Sequence, residues 1–208
     1  DKLVEKYSAY DAILFHPTRK NLKPEGRAYK APEKVLYAYK NLLKQLEGTG
    51  IKTLLVTGCH GNHVDLYQAK VDELQLQDNI VFEDHLPLPK LHAYMSLHNV
   101  IVLDNFKPEI KTVLGGISRE ALAFGAPLIT RIQYNDSLFR EAYGTNAPFY
   151  YAENETEIVE RLREILRLSP NDRIENQAQI KNWAKTRLDW RTNIQKIYDV
   201  LKAATGQS

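Results

Sequence analysis

The sequence predicts a three-layer α/β/α fold around a parallel β-sheet of about six strands. Short β-rich apolar runs alternate with segments of helical periodicity along most of the 208 residues, a pattern typical of a parallel sheet covered by helices. The apolar runs are continuous, as in residues 51–56, which is expected when both faces of a strand are buried. No internal repeat or linker interrupts the pattern. A single Rossmann-like domain over residues 1–208 is therefore predicted.

The predicted elements follow one another as strand and helix up to about residue 170. Strands are predicted at residues 12–16, 52–57, 80–82, 100–103, 127–130 and 149–150. Helices are predicted at residues 33–46, 64–74, 90–97, 118–124, 137–143 and 155–168. Gly125 and Gly144 stand where two helices should end, and Asn154 with Glu157 resembles a capping box. Residues 171–208 contain no strand candidate and are predicted as a C-terminal helical segment with two successive helices.

The composition excludes several classes of protein. With 43% hydrophobic and 26% charged residues, the chain is neither disordered nor collagenous nor a coiled coil. A net charge of +2 is too balanced for a nucleic-acid surface, so no nucleic-acid partner is expected. The single Cys59 excludes an internal disulfide and a thiolate zinc cluster. No apolar run approaches the roughly 20 residues of a membrane span. A cytoplasmic location is predicted, with peripheral association of the whole protein at the inner face of a membrane left open.

Polar loops follow the carboxyl ends of four predicted strands, where open parallel sheets bind ligands. The fourth loop has the clearest chemistry, because Gly115 and Gly116 precede a helix whose free N–H groups favour phosphate. Glu120, about one turn into that helix, can accept hydrogen bonds from a diol such as ribose. Arg19 and Lys30, in the loop after the first strand, can neutralise a diphosphate. These residues form the candidate anion site.

Each of these features also has an ordinary structural explanation, and other chemistries are less well supported. Two glycines before a helix are often a plain turn, and a glutamate in a first turn often complements the helix dipole. Gly58 and Gly61 lack the third glycine of a dinucleotide fingerprint, and Ser118 lacks a Gly-x-Ser-x-Gly frame. The histidines at positions 60, 63, 92 and 98 do not have zinc-site spacing. No metal site is therefore predicted.

Six ordered segments share a wider pattern. Residues 13–19, Ile-Leu-Phe-His-Pro-Thr-Arg, combine a strand with an arginine, and Lys30-Ala31 precedes a helix. Residues 54–58 form a strand with a glycine turn, and residues 79–91 contain Val-x-Phe-like spacing. Residues 114–129 closely follow the pattern F-G-x-x-x-x-E-A-M-A-x-G-x-P-V-I, and residues 188–190 and 197–201 have the form of a C-terminal crossing helix. This order resembles the C-terminal, donor-binding half of the group 1 (family-4) glycosyltransferases, which have the GT-B fold.

The resemblance implies transfer of a sugar, with retention, from a nucleotide-diphosphate sugar to a glycan, lipid or small-molecule acceptor. It implies no cofactor and no metal. Arg19 and Lys30 would bind the donor diphosphate and Glu120 the ribose hydroxyls, and these three are the predicted catalytic residues. The amides of Gly115, Gly116 and Ile117 would lie beside the diphosphate.

Further donor-binding residues are implied by the same resemblance. The segment Asp84, His85 and Leu86 would receive the base, and Gly58 would let the donor approach. Thr112 stands where the family has the first glutamate of its motif, which contacts the donor sugar, so it is the predicted sugar-facing position. Ala31 likewise replaces the glycine that usually follows the lysine.

Three functions stay open at this stage. The first is a glycosyltransferase that lacks here its acceptor-binding N-terminal domain, since the only methionine is Met95 and Asp1 is not a translation start. Such a piece is expected to be inactive in transfer on its own. The second is a GT-B-like domain that binds a nucleotide sugar or a partner without transfer, which the residue Thr112 favours. The third is a flavodoxin-like regulator, which is disfavoured because no acidic cluster at a strand end resembles a phospho-acceptor pocket and Asp104 alone could play that part.

Overall fold

The structure, a computed structural model, describes residues 2–24, 29–84, 86–107, 113–133, 137–144 and 146–189, together with 191, 194, 195, 198, 199 and 202. These residues form three layers, with one open, all-parallel sheet of six strands between eight helices. The strands are β1 Ala12–His16, β2 Thr53–Gly58, β3 Ile80–Glu83, β4 Val100–Leu103, β5 Leu128–Thr130 and β6 Tyr150–Tyr151. The helices are α1 Lys2–Tyr7, α2 Pro32–Leu46, α3 Val64–Glu73, α4 Leu88–Met95, α5 Gly116–Phe124, α6 Ser137–Tyr143, α7 Glu155–Leu166 and α8 Pro170–Arg187. The predicted fold class is confirmed.

The strand order places two loops at one crevice. The strand order is β3-β2-β1-β4-β5-β6. Strands β2 and β3 therefore lie on one side of β1, and strands β4, β5 and β6 lie on the other. The carboxyl ends of β1 and β4 therefore lie side by side at the point where the strand order reverses, which is where open α/β sheets bind ligands.

Both faces of the sheet are covered, as the continuous apolar runs predict. Leu14 of β1 packs with α2 and α7 in one hydrophobic cluster. Its neighbours Ile13 and Phe15 point to the opposite face and join a second cluster with α4, α5 and α8. Each fully buried side chain of this size contributes about 1.5–3 kcal/mol, so β1 is a rigid support for the loop that follows it.

Most element boundaries lie within two residues of the prediction. α4 and α5 each begin two residues early, because Pro89 and Gly116 fit inside a first helical turn. Gly125 ends α5 with a left-handed φ of 80° and Asn154 caps α7 by accepting from the amide of Glu157, both as predicted. The short helix α1 has too little periodicity to be predicted from sequence.

The C-terminal segment is helical in α8 and at the described residues from 191 onward, whereas Leu188 and Asp189 between them are not helical. Ser169 caps α8 by accepting from the amide of Asp172, and α8 continues to Arg187. Trp183 packs against the second cluster, whereas Tyr198 is 58% exposed. Trp190 lies outside the described residues. Within the described ranges, each helix is too short or too polar to cross a membrane.

Candidate functional site

Asp104 is the centre of the crevice between β1 and β4. It directly follows β4, and its side chain is fully buried. Its Oδ1 accepts from the hydroxyl of Thr18 at 3.0 Å and from Nζ of Lys30 at 2.9 Å, while Oδ2 accepts from the hydroxyl of Ser118 at 2.8 Å. One carboxylate thus joins the loop after β1, the segment that leads into α2 and the first turn of α5.

Lys30 is held at the beginning of α5 by this carboxylate. A β-carbon built on Gly115 would lie 3.8 Å from Nζ of Lys30 and 3.7 Å from Oδ2 of Asp104. Gly115 takes the N-cap position, and no described side chain caps α5, so the amides of Gly116 and Ile117 keep free hydrogen-bonding capacity. The ammonium group of Lys30 therefore lies beside the beginning of α5, where Gly115, Gly116 and Ile117 are. An anion site requires such an arrangement of a cation and free amides.

Ala31 stands where the sequence pattern described above usually has glycine, and its backbone conformation shows why glycine suits this position. It precedes α2 with φ 52° and ψ 53°, a left-handed conformation that costs an L-residue roughly 1–2 kcal/mol and glycine very little. The glycine that usually follows the lysine suits this conformation. Ala31 is fully buried and keeps the turn that places Lys30.

Arg19 is exposed and lies next to Thr18, so the bond from Thr18 to Asp104 fixes where its loop begins. The following residue, Lys20, ties this loop to the loop after β2. Its amide donates to the carbonyl of His60 at 2.8 Å, and its carbonyl accepts from the amide of His63 at 2.9 Å. The backbone on both sides of Arg19 is thereby fixed.

The side chains of Lys20 and His16 are buried beneath this loop. Nζ of Lys20 donates to the carbonyls of Thr18 at 2.6 Å and His16 at 3.3 Å, and lies 4.8 Å from the ring centre of Tyr67. Burial lowers the pKa of Lys20 well below its usual value. Burial, and then the charges of Lys20 and Lys30, lower the pKa of His16 well below its usual value, so this histidine is neutral near pH 7.

Gly58 ends β2, and the space beside it is lined by His60 and Leu86. A β-carbon on Gly58 would lie 2.8 Å from Nδ1 of His60 and 3.4 Å from Cδ1 of Leu86. Burial, followed by the charges of Lys20 and Arg19, lowers the pKa of His60. The imidazole of His60 thus occupies the space beside Gly58 where the sequence predicts that a donor approaches.

The loop after β3 has both a fixed and an open part. Glu83, the last residue of β3, accepts from Lys90 and from the hydroxyl of Tyr94. Asp84 is exposed and Leu86 half-buried, so these two predicted base-binding residues have accessible surface. His85 lies outside the described residues, and so does Thr112, the predicted sugar-facing position.

Glu120 lies one turn into α5, and its side chain is 33% exposed. Its Oε2 is buried and has no hydrogen-bond partner among the described residues. Nε2 of His92 in α4 lies 3.8 Å from this oxygen.

The described residues contain no group of three or more His, Cys, Asp or Glu side chains that could hold a metal ion. Metal independence stays a prediction. The third function considered from sequence has no support at this site, because Asp104 is fully buried and both its oxygens already accept hydrogen bonds.

The fold is that of a Rossmann-like lobe of the GT-B type. No protein-family model and no curated protein matches the sequence, so the similarity is one of structure. A glycosyltransferase from Rickettsia africae matches with a TM-score of 0.68 at 15% identity, over 100% of this chain and 52% of that one. The C-terminal domain of a group 1 glycosyl transferase (LpcC) from Francisella tularensis matches with a TM-score of 0.58 at 15% identity, over 88% of this chain and 89% of that one.

A further match carries ligands. TarM of S. aureus, whose crystal structure contains fondaparinux, α-GlcNAc-glycerol and UDP, has a TM-score of 0.67 at 10% identity, over 91% of this chain and 35% of that one. The chain thus spans about a third to a half of the length of these two larger glycosyltransferases. The GT-B fold predicted from sequence is confirmed, and the roles of individual residues stay predictions.

Proposed function

We propose that the chain binds a nucleotide-diphosphate sugar and forms the donor half of a glycosyltransferase. The observation that carries the proposal is the convergence of Lys30, the uncapped beginning of α5 and the buried Asp104 at the crevice between β1 and β4. A cation, free amides and a helix dipole pointing at one place form an anion site suited to a diphosphate.

The same groups would provide the main catalytic contribution. When the bond between sugar and diphosphate breaks, negative charge develops on the departing phosphate oxygens. Lys30 and the amides of Gly116 and Ile117 would stabilise that charge without having to reorganise, and Arg19 would add a further cation. Glu120 would hold the ribose through Oε1. The proposal includes retention, metal independence and an acceptor site on a separate N-terminal domain.

A second candidate is a domain that binds a nucleotide sugar without transferring it. Thr112, in place of the motif's first glutamate, favours it, since threonine brings no charge to the donor sugar. An assay of donor hydrolysis and sugar transfer with the full-length protein separates the two functions. Release of free sugar or formation of a glycoside supports the transferase, whereas donor binding with neither product supports the second candidate.

Glu120→Gln, which keeps an acceptor oxygen but removes its charge, and Arg19→Ala, which removes a cation, are both expected to weaken binding of a nucleotide-diphosphate sugar by about tenfold, because hydrogen bonds to charged groups are roughly twice as strong as neutral ones. Isothermal titration calorimetry with the lobe measures the dissociation constants. Glu141→Gln, on the exposed surface of α6, and Lys23→Ala, exposed in the same loop as Arg19, are the matched controls and should bind as the wild type does. Equal affinities for all five proteins would argue against these roles.

A further inference from the structure

The pair formed by Glu120 and His92 is not explained by the anion site. The 3.8 Å between Oε2 of Glu120 and Nε2 of His92 is within ion-pair range but longer than a hydrogen bond. Both side chains are about a third exposed, at 33% and 32%, yet Oε2 itself is buried without a donor among the described residues. A carboxylate oxygen in this position is costly unless a donor approaches it.

His92 is well placed to be that donor. Its ring packs against the ring of Phe124, with centroids 4.7 Å apart and planes tilted by 38°. Phe124 lies four residues after Glu120 in α5, so the two side chains are on the same face of that helix. The aromatic contact therefore fixes the imidazole beside the carboxylate, and a shift of roughly 1 Å would close the gap to a hydrogen bond.

We propose that His92 is a positioning residue that holds Oε2 of Glu120, so that Oε1 is presented to a ribose hydroxyl of the bound nucleotide. This inference rests on the proposed function, in which Glu120 binds the ribose. His92 itself does not touch the ligand. It acts by restricting the carboxylate to one rotamer before the nucleotide arrives, which reduces the ordering cost of binding.

The alternative is that His92 only packs against Phe124. The two explanations differ in which part of the nucleotide they affect. If His92 orients Glu120, its removal weakens the contact to the ribose hydroxyls alone. If His92 only supports packing between α4 and α5, its removal disturbs the lobe in general, and a nucleotide without those hydroxyls is affected equally.

The test is calorimetry with whichever of UDP, GDP, ADP and CDP the wild type binds most tightly, and with the 2′,3′-dideoxy analogue of that nucleotide. His92→Ala is expected to weaken binding of the ribonucleotide about tenfold and binding of the dideoxy analogue less than about twofold. His92→Gln, whose amide can still donate to Oε2, should recover most of the affinity. His98→Ala, an exposed histidine outside the site, is the control and should change neither value.

Two results would overturn the inference. Equal losses for both nucleotides in His92→Ala, or no loss with either, would show that the histidine does not act through the ribose hydroxyls. His92→Leu, which keeps an apolar contact with Phe124 but offers no donor to Oε2, gives the same comparison should the alanine variant fail to fold, since a purely structural role predicts no difference between the two nucleotides. A wild type that binds none of the four nucleotides would overturn the proposed function itself, which is a distinct outcome.

Discussion

Asp104→Ala is expected to weaken nucleotide-diphosphate binding by more than about tenfold and to lower the free energy of unfolding by about 3 kcal/mol. The substitution removes the acceptor shared by Thr18, Lys30 and Ser118. Two hydroxyls and an ammonium group then lack their partner, and the three segments that form the anion site are no longer joined. Urea unfolding gives the stability and calorimetry the affinity.

Asp104→Asn separates position from charge. The amide keeps an acceptor for Thr18 and Lys30, and the hydroxyl of Ser118 can reverse its role and accept from the amide nitrogen. We expect a loss of only about 1 kcal/mol and an affinity within about threefold of the wild type. Folded Asp104→Ala protein with wild-type affinity would contradict the role of Asp104 as the organiser of the site.

Gly61→Ala is the second substitution with a large expected effect. Gly61 has φ 125°, and a β-carbon on it would lie 2.6 Å from the backbone nitrogen of Lys20. The backbone conformation alone costs an alanine on the order of 1–3 kcal/mol. Since the obstructing atoms belong to the backbone, the loop that carries Arg19 must move, and nucleotide affinity should fall by more than about tenfold.

Gly50→Ala is the matched control for Gly61→Ala. Gly50 also has a positive φ, 78°, but no atom lies within 4 Å of the added β-carbon. It should lower stability by about 1–2 kcal/mol and leave nucleotide affinity unchanged. Thermal unfolding and calorimetry on both variants distinguish backbone strain from displacement of the loop. A Gly61→Ala protein that binds nucleotide as tightly as Gly50→Ala would show that the contact with Lys20 does not matter for the site.

The fold was predictable because each level of the sequence points to the same arrangement. The stretch at residues 54–56 is apolar without alternation, which predicts a strand covered on both faces, and Gly125 and Asn154 mark helix ends by their own chemistry. These are local signals that need no knowledge of what lies opposite. Only short elements such as α1 fall below the length at which periodicity is visible.

The position of the candidate site at the edge of the sheet was predictable from the sequence, but most of the side-chain contacts within it were not. Asp104 follows an apolar strand, so its position at the carboxyl edge could be predicted, yet its ion pair with Lys30 spans 74 residues of sequence. Buried Lys20 looks like any loop lysine in the sequence, although it fixes the backbone beside Arg19. Nothing in the spacing of His92 and Glu120 indicates that α4 and α5 bring them together. Pairings of this kind depend on which strands become neighbours.

The most direct test of the account is calorimetric titration of the lobe with a panel of UDP-, GDP-, ADP- and CDP-sugars. We expect at least one of them to bind, at one site per chain, and we expect Asp104→Ala and Glu120→Gln to weaken that binding while Glu141→Gln leaves it unchanged. A folded lobe that binds none of these sugars, nor the free nucleoside diphosphates, at millimolar concentration would contradict the assignment of the crevice between β1 and β4 as a nucleotide-sugar site.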